Sequence, residues 1–311
     1  MTEINSFGLY LRKLREEKKL TQTYVAKAAQ VSEKTYRRIE MDKAIPRIDT
    51  LEEMSILFKE DLVLRFLKYN SQGMEMFETI KEDIEKKILQ DNFDKLNGYI
   101  PKLKSFIATI KKPYYILQYR QYILLIEGIV LYRKKDRYPK ALEKFIQGIL
   151  ISNKEFSVEH FRDFSYSPME HRLLMNIALT FNRTGDQKKY IEILAFIMDE
   201  IDHSDEIYAI IASNLGIAYK RTEKYVDSIG MMEKGINYCQ EKSDYSMLPL
   251  LYYGKGVSEY YLNDDSYKCS FINAVTLTKL LGLTHLHTSM KEKCKNNFHF
   301  DVSNEEDQSL F

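Results

Sequence analysis

Residues 20–40 read LTQTYVAKAAQVSEKTYRRIE, and this stretch decides the fold of the first seventy residues. Thr21 follows the apolar Leu20 and can cap a helix through its side-chain oxygen. Val25, Ala26 and Ala29 fall at spacings of one, three and four and make one apolar stripe. Ala26 is small, as the close crossing of two short helices requires. Ser32 offers a second cap, with Thr35 three residues on and Glu33 in the first turn, where the helix dipole favours an acid. Tyr36 and Ile39 are predicted to face inward, which leaves Ser32, Glu33, Lys34, Arg37 and Arg38 on the outer face.

Two short helices joined by a tight turn, the second basic on its outer side, have the layout of a helix-turn-helix. One helix braces the DNA backbone and the next enters the major groove. The pattern continues outward. Phe7, Leu11 and Leu14 predict a first helix over about 6–18. Pro46 punctuates a loop, Leu51, Met54 and Leu57 predict a helix over about 49–58, and Asp61 starts another over about 61–69. Residues 12–47 hold eleven Lys or Arg against five acids, a net +6, whereas the whole chain is +1. A basic module on a neutral body suits a specific regulator better than a general nucleic-acid coater.

The segment resembles the lambda-repressor-like helix-turn-helix family, the Xre or Cro/CI type. The matching residues are Leu20-Thr21-Gln22, Ala26, Val31-Ser32, Thr35, Ile39-Glu40, Pro46 and Leu51. The resemblance implies that Gln22 touches a phosphate and that Ser32, Glu33, Lys34 and Arg38 read bases, with Arg37 beside them. The family's turn usually holds Gly because its backbone often needs a positive φ. Gln30 stands there instead, and Gln reaches that conformation at a modest cost.

With 311 residues, 12 Gly and 6 Pro, the chain can hold two domains. No apolar run reaches the length of a membrane span and the N-terminus reads as no signal peptide, so a cytoplasmic protein is expected. Cys239, Cys269 and Cys294 form no CxxC and read as reduced thiols used in packing. No phosphate loop, GxSxG, HExxH or dinucleotide fingerprint is present, so no enzyme and no cofactor are expected. His285 and His287 share a side only in an extended strand and lack a third metal ligand. Asp202-His203-Ser204-Asp205 reads as a polar turn in which Ser204 or Asp205 caps a helix at Glu206. Asn70-Ser71-Gln72-Gly73 reads as a break between two helices and places the domain boundary.

Residues 74–300 alternate amphipathic stretches with polar turns, and strand signals are nearly absent. Segments 127–149, 176–194, 214–236 and 253–275 share one grammar. A small residue (Gly128, Ala178, Gly216, Gly256) precedes an aromatic (Tyr132, Phe181, Tyr219, Tyr260). A polar turn follows, then a second helix that opens with another aromatic (Tyr138, Tyr190, Tyr225, Tyr267). This resembles the tetratricopeptide repeat, in degenerate form, since the small residues recur after 50, 38 and 40 residues rather than about 34. An earlier pair over about 77–110 and a closing helix over about 287–297 are expected to flank the four. Such arrays curve and leave a groove that usually holds an extended peptide. Asn176 and Asn214 share one repeat position, and an Asn side chain supplies a donor and an acceptor to a peptide backbone. Phe181, Arg183, Tyr219 and Lys220 are further lining candidates, with Lys220 or Arg183 suited to a peptide carboxylate.

The combination resembles the peptide-pheromone-sensing regulators of Gram-positive bacteria, the RRNPP group with its Rgg, PlcR and PrgX types. The resemblance implies an all-α chain: a helix-turn-helix domain at 1–70, a right-handed superhelix of tetratricopeptide-like hairpins at 71–300 that senses peptide and dimerises, and a tail at 301–311. The implied partners are a double-stranded DNA operator, a short signalling peptide and a second copy of the chain, with no membrane. A phage- or plasmid-type repressor without peptide, and a repeat scaffold for a protein partner, are the alternatives that the residues leave open.

Overall fold

The structure, a computed structural model, describes residues 6–89, 93–110 and 112–302. All regular structure among them is helical. By contacts the chain divides into two compact units, 1–95 with 101–110 and 96–100 with 111–311.

In the N-terminal unit, α1 (Phe7–Glu17), α2 (Gln22–Ala28), α3 (Glu33–Glu40) and α4 (Ile48–Phe58) follow the expected spans. The caps are those the residue types predict. Ser6 accepts from Leu9 N, Thr21 from Tyr24 N and Ser32 from Thr35 N. The core is Phe7, Leu11, Val25, Ala26, Ala29, Tyr36, Ile39, Leu51, Met54, Phe58 and Leu62. Asp61 caps α5 by accepting from Leu64 N at 2.8 Å. That helix runs unbroken over Leu62–Leu89, so the expected break at 70–73 is absent. A glycine inside a helix costs only about 1 kcal/mol relative to alanine, which the turns on either side can offset. A 3₁₀ turn (Phe93–Gly98) and α6 (Tyr99–Ile107) follow, and Phe106 stacks on Phe77 of α5 at 6.3 Å.

The second unit is a run of antiparallel hairpins: α7 (Pro113–Tyr132) with α8 (Tyr138–Leu150), α9 (Pro168–Thr184) with α10 (Gln187–Glu200), α11 (Tyr208–Arg221) with α12 (Tyr225–Lys242) and α13 (Leu248–Tyr261) with α14 (Tyr267–Leu280). The last helix, α15 (Thr284–Phe298), packs on α14. Tyr138, Tyr225 and Tyr267 each open a second helix, and Tyr260 meets Tyr267 edge-on at 5.2 Å. The surplus in the first 50-residue interval lies in the connection 151–167, closed by Phe156, Phe161, Phe164 and Tyr166. Glu170 is buried there and accepts from Ser167 N at 2.7 Å, Asn153 Nδ2 at 3.0 Å and the Ser152 hydroxyl. The 202–205 turn is polar as expected, but α11 starts at Tyr208, with Asp205 accepting from Ile207 N. His285 and His287 lie on α15, where a spacing of two turns side chains about 200° apart. Burial pushes the Cys239 and Cys294 thiols up to about 11 and about 12, as expected of packing residues, whereas Cys269 is exposed and does not pack in the core. Residues 303–311, most of the expected tail, lie outside the described residues.

The small residues let paired helices touch. A Cβ at Gly128 would clash with the Phe145 ring, and one at Gly256 would meet the Phe271 ring at 2.8 Å. Phe145 is fully buried and has nowhere to retreat. Gly128→Ala is therefore expected to lower stability by about 1–3 kcal/mol despite its better helix propensity. Phe145→Leu in the same chain should recover part of that loss in thermal melts.

His171 of α9 is buried and neither ring nitrogen has a hydrogen-bond partner among the described residues. Burial pulls its pKa below the ordinary 6.5, against the opposing pull of Asp205, Glu200 and Glu170. The unfolded imidazole thus takes a proton first as pH falls below 6.5, so stability declines there and levels off once the folded imidazole also protonates. His171→Phe should flatten this limb, read by denaturant unfolding at about pH 7.5 and about pH 5.5. An unchanged limb would assign it to another group.

Candidate nucleic-acid interface and repeat-layer site

The outer side of α3 carries its cations within one arc. Lys34, Arg37 and Arg38 are exposed, while Tyr36, Ile39 and Glu40 are buried on the opposite side. Lys34 and Arg37 make no hydrogen bond or ion pair among the described residues, and Arg38 uses one Nη2 donor on Lys43 O at 3.2 Å. Glu33, in the first turn, accepts from Thr23 of α2 at 2.7 Å, which ties the two helices together at their outer edge. Ser32 is engaged in capping, with its hydroxyl 2.8 Å from that of Thr35. The turn between the helices has Gln30 at φ 54°, the left-handed conformation its position demands, and its side chain donates to Glu53 at 3.1 Å.

Beneath this face lies a network that reading residue types one at a time does not reveal. The Glu40 side chain is 2% exposed and is held by Arg15 of α1, at 2.6 Å from Nε and 3.3 Å from Nη2. Gln22 donates its amide to the same carboxylate at 2.7 Å. Arg15 also donates to Leu20 O at 3.0 Å, which sets where α2 begins. So Gln22, expected on a phosphate, is half-buried and oriented by Glu40 from the first turn of α2. The available signal was Glu40 itself, four residues after the inward Tyr36: a carboxylate on a buried stripe implies a cation from another helix. Gly8 lets α1 approach closely, since a Cβ there would meet Ile39 O at 2.6 Å and Glu40 O at 2.7 Å.

In the repeat unit, Asn176 and Asn214 do the same thing in successive hairpins. Each Nδ2 donates to the carbonyl four residues back, Arg172 O and Ile210 O, both at 2.8 Å. Among the described residues each amide oxygen and one N–H are left over, Asn214 being half-buried and Asn176 8% exposed. Seven residues on, and so on the same side of their helices, are Arg183 and Arg221, both exposed. Arg183 Nε donates to the Tyr132 hydroxyl at 3.1 Å, and Arg221 Nη1 to Asn182 Oδ1 at 2.7 Å. Phe181 and Tyr219, five residues past the asparagines, point about 140° away around the helix. Both are half-buried, as is Lys220, whose pKa is lowered by burial and by Arg221. Asn176 and Arg183 thus share one side of α9, and Asn214 and Arg221 the corresponding side of α11, while Phe181, Tyr219 and Lys220 point elsewhere around their helices.

Residues 11–64 match the helix-turn-helix family model HTH_3. A search of curated protein sequences gives no match. Among solved structures, the fold is similar to Bacillus thuringiensis PlcR in complex with the peptide PapR7 and DNA, with TM-score 0.69 at 15% identity over 92% of this chain and 99% of that one. It is similar to ComR from S. thermophilus in complex with DNA and its signalling peptide ComS, with TM-score 0.56 at 15% identity over 92% and 98%. The Streptococcus dysgalactiae SHP pheromone receptor Rgg2 gives TM-score 0.52 at 15% identity over 94% and 100%. No helix of the described residues is long and apolar enough to cross a membrane. The chain therefore carries a helix-turn-helix domain at its N-terminus and, over nine-tenths of its length, has the fold of PlcR, ComR and Rgg2.

Proposed function

We propose that the chain is a cytoplasmic, sequence-specific DNA-binding regulator and not an enzyme. It acts as a homodimer whose repeat region binds a short signalling peptide. Residues 1–70 form the DNA module, with Lys34, Arg37, Arg38, Ser32 and Glu33 at the major groove and Gln22 at a phosphate. Residues 71–300 form the sensor, in which Asn176 and Asn214 hold the peptide backbone with Arg183, Phe181, Tyr219 and Lys220 nearby. The observation that carries the reading is one chain joining an exposed cationic α3 to a hairpin array, in a fold whose solved neighbours include complexes with DNA and a signalling peptide.

The mechanism is a population shift. Two half-sites lie about one helical turn apart on DNA, near ~34 Å, so a few ångströms between the two α3 helices decide whether both engage. A peptide moves that equilibrium only by binding one arrangement better than the other. The test is DNA binding by the purified chain to its own upstream region, with and without short synthetic peptides encoded beside its gene. A peptide-dependent change in affinity or footprint supports the reading. Specific binding that no peptide alters favours a plain repressor, and no specific binding favours a scaffold.

A further inference from the structure

Three successive first helices carry an arginine at one repeat position at or beside their C-terminal ends. Five residues past Gly128, Ala178 and Gly216 stand Arg133, Arg183 and Arg221, and past Gly256 stands Tyr261. All four are exposed. The two central arginines reach sideways to the preceding first helix: Arg183 of α9 to Tyr132 of α7, and Arg221 of α11 to Asn182 of α9. Both partners are neutral, so they position the guanidiniums without cancelling their charge. Neither Arg183 nor Arg221 has an ion pair among the described residues, and each commits one of its five N–H donors. Lys220 adds a half-buried ammonium beside Arg221. The series ends at Tyr261, which stacks on Tyr225 at 5.2 Å.

We propose that Arg183 and Arg221 are a carboxylate-reading pair, and that the ligand is a peptide with two carboxylates three residues apart, one of which can be its own C-terminus. The proposal rests on the peptide-sensing reading above and narrows it. Arg221 Nη1 of α11 meets Asn182 of α9, the residue next to Arg183, so the two arginine-bearing helix ends are one arginine side chain apart. An extended polyproline-II chain has three residues per turn and rises about 3.1 Å per residue, so positions i and i+3 sit on one side about 9 Å apart. Two acids at that spacing face two guanidiniums on adjacent helices, and each guanidinium has free N–H groups to take a carboxylate with charge-assisted bonds. The spare amide groups of Asn176 and Asn214, on the same side of α9 and α11, are left for the peptide backbone.

The test is selection of random nine-residue peptides by the purified full-length chain and by its Arg183→Gln/Arg221→Gln variant. Circular dichroism melts serve as the control for folding, since both side chains are exposed. The wild-type protein should enrich peptides with Asp or Glu three apart, or three before the C-terminus. Replacing either acid by its amide in a fluorescein-labelled enriched peptide should weaken binding at least tenfold, the variant should show a similar loss, and Arg221→Lys should retain part of the affinity. Enrichment without acidic preference, or an acidic preference that survives in the variant, overturns the carboxylate pair and leaves the peptide sensor standing. No enrichment by the wild-type protein removes the sensor reading, and the pair with it.

Discussion

Arg15→Ala is expected to destabilise the N-terminal unit by about 3–5 kcal/mol, the range for breaking one side of a buried ion pair. Arg15 is 12% and Glu40 2% exposed at their side chains, so removing the guanidinium strands a carboxylate left with only neutral neighbours such as Gln22 and Tyr36. The same change frees Leu20 O and loosens the start of α2. A small domain has only about 5–15 kcal/mol in all, so the module should open often even while the rest of the chain stays folded. Hydrogen exchange on the intact chain reads this directly, as faster exchange across residues 6–66 with the repeat unit unaffected. Glu40→Gln added to Arg15→Ala should recover part of the loss, because it removes the stranded charge. A penalty below about 1 kcal/mol would mean that water reaches Glu40 and that the pair is a surface one.

Arg38→Ala is expected to cost the protein its discrimination between operator and single-base variants by about 1–3 kcal/mol, roughly 5- to 150-fold. Arg38 lies one helical turn past Lys34 on the same outer side of α3, and its bond to Lys43 O holds the guanidinium out from the helix end. Quantitative footprinting on the operator and its variants separates two roles. A base contact relaxes specificity at one position. A phosphate contact weakens binding to all sequences alike and lowers the salt dependence by about one ion. The second result would move base reading to Lys34 and Ser32 at the start of α3.

The parts of the fold written in local chemistry were legible. Thr21 and Ser32 cap helices because a cap needs only a side-chain oxygen and the next turn. Tyr138, Tyr225 and Tyr267 mark helix starts because each fills the gap where two helices diverge. What depends on distant partners was not legible. Asn70–Gly73 has the composition of a turn, yet the helix continues through it. Glu40 has the composition of a solvated acid, yet α1 buries it. Arg221 was invisible as a candidate because a repeat position gains meaning only when the neighbouring first helix is seen beside it, and here Asn182 supplies that link. Asn176 is proposed from register alone, and its burial is not readable that way.

Among the described residues, Gly185 and Gly282 have positive φ, but most of the left-handed corners in this chain are not glycine. Lys19, Gln30, Asp42, Lys59, Glu223, Ser243, Asn263 and His299 all sit at φ between 53° and 61°. A side chain there costs about 1–2 kcal/mol in the folded state relative to glycine. Glycine in turn gives the unfolded chain extra freedom, which returns roughly 0.4–1 kcal/mol of the difference. Exchanges at these corners are therefore close to neutral, and selection acting on stability has little grip on them. A corner of this kind can change its residue type while the helices on either side keep their places.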